Sequence, residues 1–117
     1  VRLMGLPWVR LDTQFASNPK ILALLAEKKF RASFAYVASL GYSGAHGTDG
    51  FLPDLCLAFI HATRADARAL VDVGLWNEHP GGWEINGWTE FQQSSDEAAQ
   101  RKQRAKDAAR KRWEKTG

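Results

Sequence analysis

The sequence predicts a mainly α fold with a small β-sheet, closed by a basic C-terminal helix. Three observations carry that prediction. Thr63-Arg64-Ala65-Asp66 opens a helix, because the Thr63 hydroxyl can cap the free amides, Asp66 can answer it from the third position, and Gly74 falls where a left-handed C-cap is wanted. Two short runs follow, Leu75 to Glu78 and Trp83 to Asn86, joined by His79-Pro80-Gly81-Gly82, whose proline and paired glycines favour a tight turn. A helix that feeds directly into a hairpin is the back half of a winged helix-turn-helix. Finally, the residues from Ser94 onward are almost all good helix formers and are rich in lysine and arginine.

The 117 residues suffice for one compact core and are too few for two. The expected division is a winged-helix domain over 1–93 and a basic helix over 94–117. Hydrophobic content of 44% and charged content of 25% are those of an ordinary globular domain, and no apolar run reaches bilayer length. Val1 to Pro7 holds one positive charge and an apolar patch broken by proline, too little for a signal peptide, so a cytoplasmic location is expected. The single cysteine, Cys56, excludes an internal disulfide and a multi-cysteine metal site; its neighbours Leu55, Leu57 and Ala58 predict a buried helical thiol. His46, His61 and His79 stand at no ligand spacing, and no metal or cofactor is expected.

In chain order, Trp8-Val9-Arg10-Leu11-Asp12 alternates apolar and polar residues, as a short strand or an extended arm does. Asn18-Pro19 starts a first helix, to about Lys28, with Ile21, Leu24 and Leu25 inward. Phe30, Phe34, Val37 and Gly41 then recur at helical spacing, predicting a second, largely buried helix that ends near Gly41, with Ala32, Ala35 and Ala38 allowing close approach. Core packing accounts for this aromatic stripe better than a ligand pocket does. Residues 43–50 are turn formers and predict a flexible surface loop; they lack the lysine and hydroxyl of a phosphate loop. Gly50 to Pro53 predicts a strand, and Pro53 to His61 a helix with Leu55, Cys56, Phe59 and Ile60 inward. About two residues then separate it from the helix after Thr63, the tight link of a helix-turn-helix. After the hairpin, Trp88 and Phe91 are expected to fold back on the core.

Ser94 to Glu97 reads as a capping box, and the last helix should span about Ser95 to Lys115, with Glu97–Arg101 and Asp107–Lys111 as i,i+4 pairs. Its apolar strip is Ala98, Ala105, Ala108 and Ala109, with Trp113 to one side. So little apolar area leaves the helix projecting from the domain or needing a partner.

The order of tryptophan strand, Asn-Pro-Lys helix, Gly-Phe-Leu-Pro strand, Ala-Leu-Val-Asp-Val-Gly-Leu-Trp, hairpin and Ile-Asn-Gly-Trp-Thr-Glu-Phe-Gln resembles the N-terminal winged-helix domain of phage replisome organisers and related replication initiators. It is also similar to small helix-turn-helix proteins of actinobacterial phages. The resemblance covers about residues 7–113, and its most specific piece is Gly74-Leu75-Trp76 with Trp83-Glu84-Ile85 and Gly87-Trp88. It implies binding to double-stranded DNA and recruitment of replication proteins, and it carries no catalytic residue.

The charge is unevenly placed. Residues 1–95 hold eight Lys or Arg against nine Asp or Glu, whereas residues 96–117 hold eight against four. The candidate DNA-binding residues are therefore Arg64 and Arg68 on the presumptive recognition helix, with Arg101, Lys102, Arg104, Lys106, Arg110, Lys111, Arg112 and Lys115 on the tail helix. Asp66 and Asp72 oppose the first two. The hairpin has no lysine or arginine and carries Glu78 and Glu84, with Glu90 beyond it, unlike a wing that grips DNA. A membrane-surface role needs a bulky apolar face, and the tail offers only Trp113. Phosphate attraction alone does not separate DNA from RNA. The leading expectation is a non-enzymatic DNA-binding protein in which the winged helix orients and the tail attracts. The alternative is an adaptor or host-directed inhibitor whose acidic, tryptophan-bearing hairpin binds a replication or host protein. An enzyme is a distant third, since no triad, metal spacing or phosphate loop is visible. A homodimer is compatible with the sequence, with Ala105, Ala109 and Trp113 offering one pairing strip.

Overall fold

A computed structural model describes residues 5–92 and 95–116, without the side chains of Phe91, residues 95–99, Lys102 and residues 113–116. The expected Ser94–Glu97 capping box, the Glu97–Arg101 pair, the inward fold of Phe91, and the side chains of Lys102, Trp113 and Lys115 lie outside the described residues. A short 3-10 turn, Phe15–Ser17, precedes α1 (Pro19–Ala26) and α2 (Phe30–His46). Next come β1 (Phe51–Pro53), α3 (Cys56–Phe59), α4 (Arg64–Asp72), β2 (Trp76–His79), β3 (Gly82–Ile85), α5 (Trp88–Phe91) and α6 (Ser95–Thr116). The fold is mainly helical, with one antiparallel sheet of strand order β1-β3-β2.

Residues 8–12 form no strand; they are an arm. The Arg10 N–H donates to Gln92 Oε1 at 2.8 Å, and Gln92 Nε2 donates to the Arg10 carbonyl at 2.7 Å. One buried amide thus clasps a chain segment 82 residues away. Asn18 caps α1 by accepting from the Lys20 N–H at 2.8 Å, and Ile21 and Leu24 are buried as expected. The helix stops at Ala26, two residues early, and Lys28 takes a left-handed φ of 60°.

In α2 the buried side is reversed. Phe30 and Phe34 are 62% and 57% exposed, while Ala32, Ala35, Ser39 and Ser43 face the core. Helix α4 packs on that face, where small side chains let two backbones come close, so the large aromatics point outward. The helix also passes Gly41 and ends at His46, with Gly47 as a left-handed cap at φ 65°. Four residues of the expected loop are therefore helical. Buried Ser43 explains the extension: its hydroxyl lies 2.6 Å from Thr48 Oγ1 and accepts the Gly50 N–H at 2.6 Å, fixing the turn into β1.

Helix α3 is a single turn, shorter than predicted. Cys56 and Ile60 are buried, but Leu55 and Phe59 are 64% and 66% exposed, against the expected inward face. The hairpin turn is Pro80-Gly81, with φ 83° at Gly81, the left-handed second position that glycine fills in a type II turn. At Gly82 a Cβ would collide with the Leu52 carbonyl oxygen, so only glycine lets β3 approach β1 there.

The core lies between α1, α2 and α4 on one side and the sheet on the other, with Leu24, Leu52, Ile60, Leu70 and Trp76 fully enclosed. Trp76 and Trp83 pack with ring planes tilted 37° and centroids 5.6 Å apart, and Trp76 Nε1–H donates to Ser39 Oγ at 3.3 Å. Trp88 is also buried, as expected. The hairpin tryptophans belong to the core.

Candidate nucleic-acid interface

Helix α4 is positioned by both of its ends. At the start, Thr63 Oγ1 accepts the Asp66 N–H at 3.3 Å, and Asp66 Oδ2 accepts the Thr63 N–H at 2.9 Å, the reciprocal box the sequence predicts. At the finish, the Leu75 N–H reaches the Leu70 carbonyl and the Gly74 N–H the Val71 carbonyl, each at 3.0 Å, with Gly74 at φ 85°. This is a Schellman ending, which turns the chain directly into β2. Outside the helix, the Gly74 carbonyl accepts from Lys20 Nζ at 3.2 Å and from Asn86 Nδ2 at 3.0 Å. The helix, the hairpin and α1 are thereby joined at one oxygen.

The exposed side of α4 carries Arg64, Ala65, Arg68 and Asp72, which fall within an arc of about 100°. Asp66 is not part of it. Its carboxylate is nearly buried and accepts from Arg31 Nε at 2.8 Å as well as from Thr63, so of the two aspartates expected to oppose DNA only Asp72 faces solvent. Arg64 NH1 lies 3.8 Å from Asp54 Oδ1, an exposed pair that water and salt weaken. Arg31 is the residue that sequence reasoning missed. Its side chain is 63% exposed, and with Nε engaged its outer nitrogens are held beside the first turn of α4. No local pattern reveals it, since its partner is 35 positions away.

The hairpin presents Asn77, Glu78, His79 and Glu84 to solvent and keeps Trp76, Trp83 and Ile85 inside. Whatever the hairpin offers a partner, its tryptophans are not part of it.

Along α6 the described cations Arg101, Arg104, Lys106, Arg110, Lys111 and Arg112 are all exposed. Asp107 binds Arg110 NH2 at 2.9 Å and Gln103 Nε2 at 3.1 Å, so its ion pair falls at i+3 and not on Lys111. Ala105 and Ala108 are exposed and Ala109 half-buried. Ten or so residues of helix with long cations and short alanines present a charged rod to any polyanion.

Elsewhere, a groove of about 430 Å³ lies between the arm and α1 and α2, lined by Asp12, Phe15, Tyr36, Leu40 and Leu75 among others. Of the candidate cations, none lines it. Among the described residues no helix is long and apolar enough to cross a membrane, and no three His, Cys, Asp or Glu side chains converge as metal ligands. Compared with known proteins, the chain matches no protein-family model, no curated protein and no solved structure.

Proposed function

We propose that the chain is a winged helix-turn-helix that binds double-stranded DNA without catalysis. In this reading α3 and α4 are the helix-turn-helix, β2 and β3 the wing, and α6 the main source of phosphate contacts. The order helix, β1, α3, α4, β2, β3 with β3 central in the sheet supports the winged reading. The observation that carries the function is the charge sorting on α4: Arg64 and Arg68 face solvent while Asp66 is turned inward onto Arg31. A helix so arranged can lie in a major groove with cations forward. The resemblance to replisome organisers makes replication initiation or its regulation the setting, with replication proteins as further partners.

The division of labour is testable by electrophoretic mobility shift on random and genomic duplexes at two salt concentrations. Neutralising at least five phosphates gives a slope of log affinity on log salt of about −4 to −5. Replacing the six described α6 cations with glutamine keeps helix propensity and should weaken binding to every duplex, while Arg68→Ala should change the sequence preference. Unchanged affinity in the glutamine variant would sink the mechanism, and no duplex binding by the intact chain would sink the function.

A further inference from the structure

The groove between the arm, α1 and α2 has a volume of about 430 Å³, the size of a small-ligand pocket. Buried Ile21, Leu40 and Leu75 line it with hydrocarbon. Phe15 and Tyr36 line it as well, with ring planes within 5° of parallel and centroids 6.1 Å apart. Two rings that share one orientation favour a third planar ring stacked along them over a globular apolar guest. The two-ended clasp between Gln92 and Arg10 fixes the arm that forms one side, so the groove is shaped before any ligand arrives.

Stacking selects a planar ring, and Asp12 selects its edge. Asp12 lines the same groove, and two bonds tie it to the turn that carries Phe15. Its Oδ1 accepts the Gln14 N–H at 2.7 Å, and its carbonyl accepts the Phe15 N–H at 3.0 Å. A carboxylate has about four lone-pair sites, and among the described residues the Gln14 amide is the one hydrogen-bond donor to this one. The Tyr36 hydroxyl has no hydrogen-bond partner among the described residues, so it is available to a polar atom of the ligand.

We propose that this groove binds a guanine base, as the free nucleoside, with the ring stacked along Phe15 and Tyr36 and its N–H edge on the Asp12 carboxylate. Two carboxylate oxygens match two neighbouring N–H donors. Guanine carries such a pair in its ring N–H and amino group. Adenine and cytosine set a ring acceptor beside their amino group, and that acceptor would face the carboxylate and be repelled. None of the candidate DNA-binding cations lines the groove, which favours a free nucleoside over a base within a polyanion. The site stands apart from the proposed DNA contacts and does not depend on them.

Protein-observed NMR titration of the full chain with guanosine tests this without DNA. Amides around the groove, those of Phe15 and Leu75 among them, should shift with a Kd below about 1 mM. Inosine, which lacks the amino group, and adenosine should each bind at least about tenfold more weakly. Asp12→Asn keeps an acceptor for the Gln14 N–H but turns half of the ligand-facing edge into a donor. It should weaken guanosine binding by at least about tenfold with thermal unfolding unchanged, and Tyr36→Leu should weaken it as well. No shift up to the solubility limit of guanosine, equal affinity for adenosine, or undiminished binding by Asp12→Asn overturns the proposal. A guanine-containing single strand that shifts the same amides at lower concentration than guanosine overturns the assignment to a free nucleoside.

Discussion

Arg31 Nε and Asp66 Oδ2 lie 2.8 Å apart, so the carboxylate that caps α4 also ties that helix to α2. The two partners contribute unequally. Asp66 is nearly buried and closes the capping box, whereas Arg31 is mostly exposed and its pairing is screened by water. Asp66→Ala should therefore destabilise the fold by about 2 kcal/mol, through the acceptor lost to the Thr63 N–H and hydroxyl and to Arg31 Nε. Arg31→Ala should cost about 0.5 kcal/mol. Urea denaturation of both variants checks the ranking, and equal losses would contradict it.

The hairpin should act against DNA. Glu78 and Glu84 are exposed on the hairpin that follows α4 after three residues, so on the proposed reading their charge opposes a duplex drawn to Arg64 and Arg68. Replacing both with glutamine should tighten binding several-fold at low salt, and the gain should shrink as the Debye length falls. Titration of one duplex at low and near-molar salt gives the answer. Weaker binding in the glutamine variant would mean that these carboxylates accept hydrogen bonds from the nucleic acid.

Cys56 supplies a pH dependence. Burial, with the nearby Asp54 charge adding to it, pushes the thiol from 9.0 to about 11. The unfolded chain therefore loses this proton first as pH rises. The contribution to stability is fully present below pH 9 and is lost between pH 9 and about 11. Comparing urea denaturation of the protein with that of Cys56→Ala at pH 8 and pH 10.5 isolates the effect from Tyr36 and Tyr42, which burial also raises. The stability difference between the two proteins should move against the cysteine form at the higher pH. In the folded protein iodoacetamide should label Cys56 slowly at pH 8, since it is fully enclosed.

What could be read from the chain was what is decided locally. The Thr63–Asp66 box, the Gly74 ending, the Pro80-Gly81 turn and the Asn18 cap each depend on residues within five positions, and each is present. Helical spacing identified α2 but not the side that faces inward. Its two opposite stripes, Phe30-Phe34-Val37-Gly41 and Ala32-Ala35-Ser39-Ser43, have the same period, and burial was decided by how closely α4 approaches. Ser43 was hidden for a similar reason, because the two hydrogen bonds of its hydroxyl, with Thr48 Oγ1 and the Gly50 N–H, override the turn preference of its neighbours. On α4, the exposure of Arg64 and Arg68 was legible from helical spacing. Arg31 was not, since its place depends on a contact between distant segments.

The Gly74 carbonyl has a consequence for how this protein can change over generations. Lys20 and Asn86 reach it from separate elements, and the acceptor is backbone, present whatever side chain occupies the position. Losing either donor leaves the other in place. The angle between helix and hairpin is thus insured against single substitutions, and the solvent-facing positions on α4 and the hairpin are free to drift. What those positions recognise can then diverge between descendants while the frame that presents them stays the same.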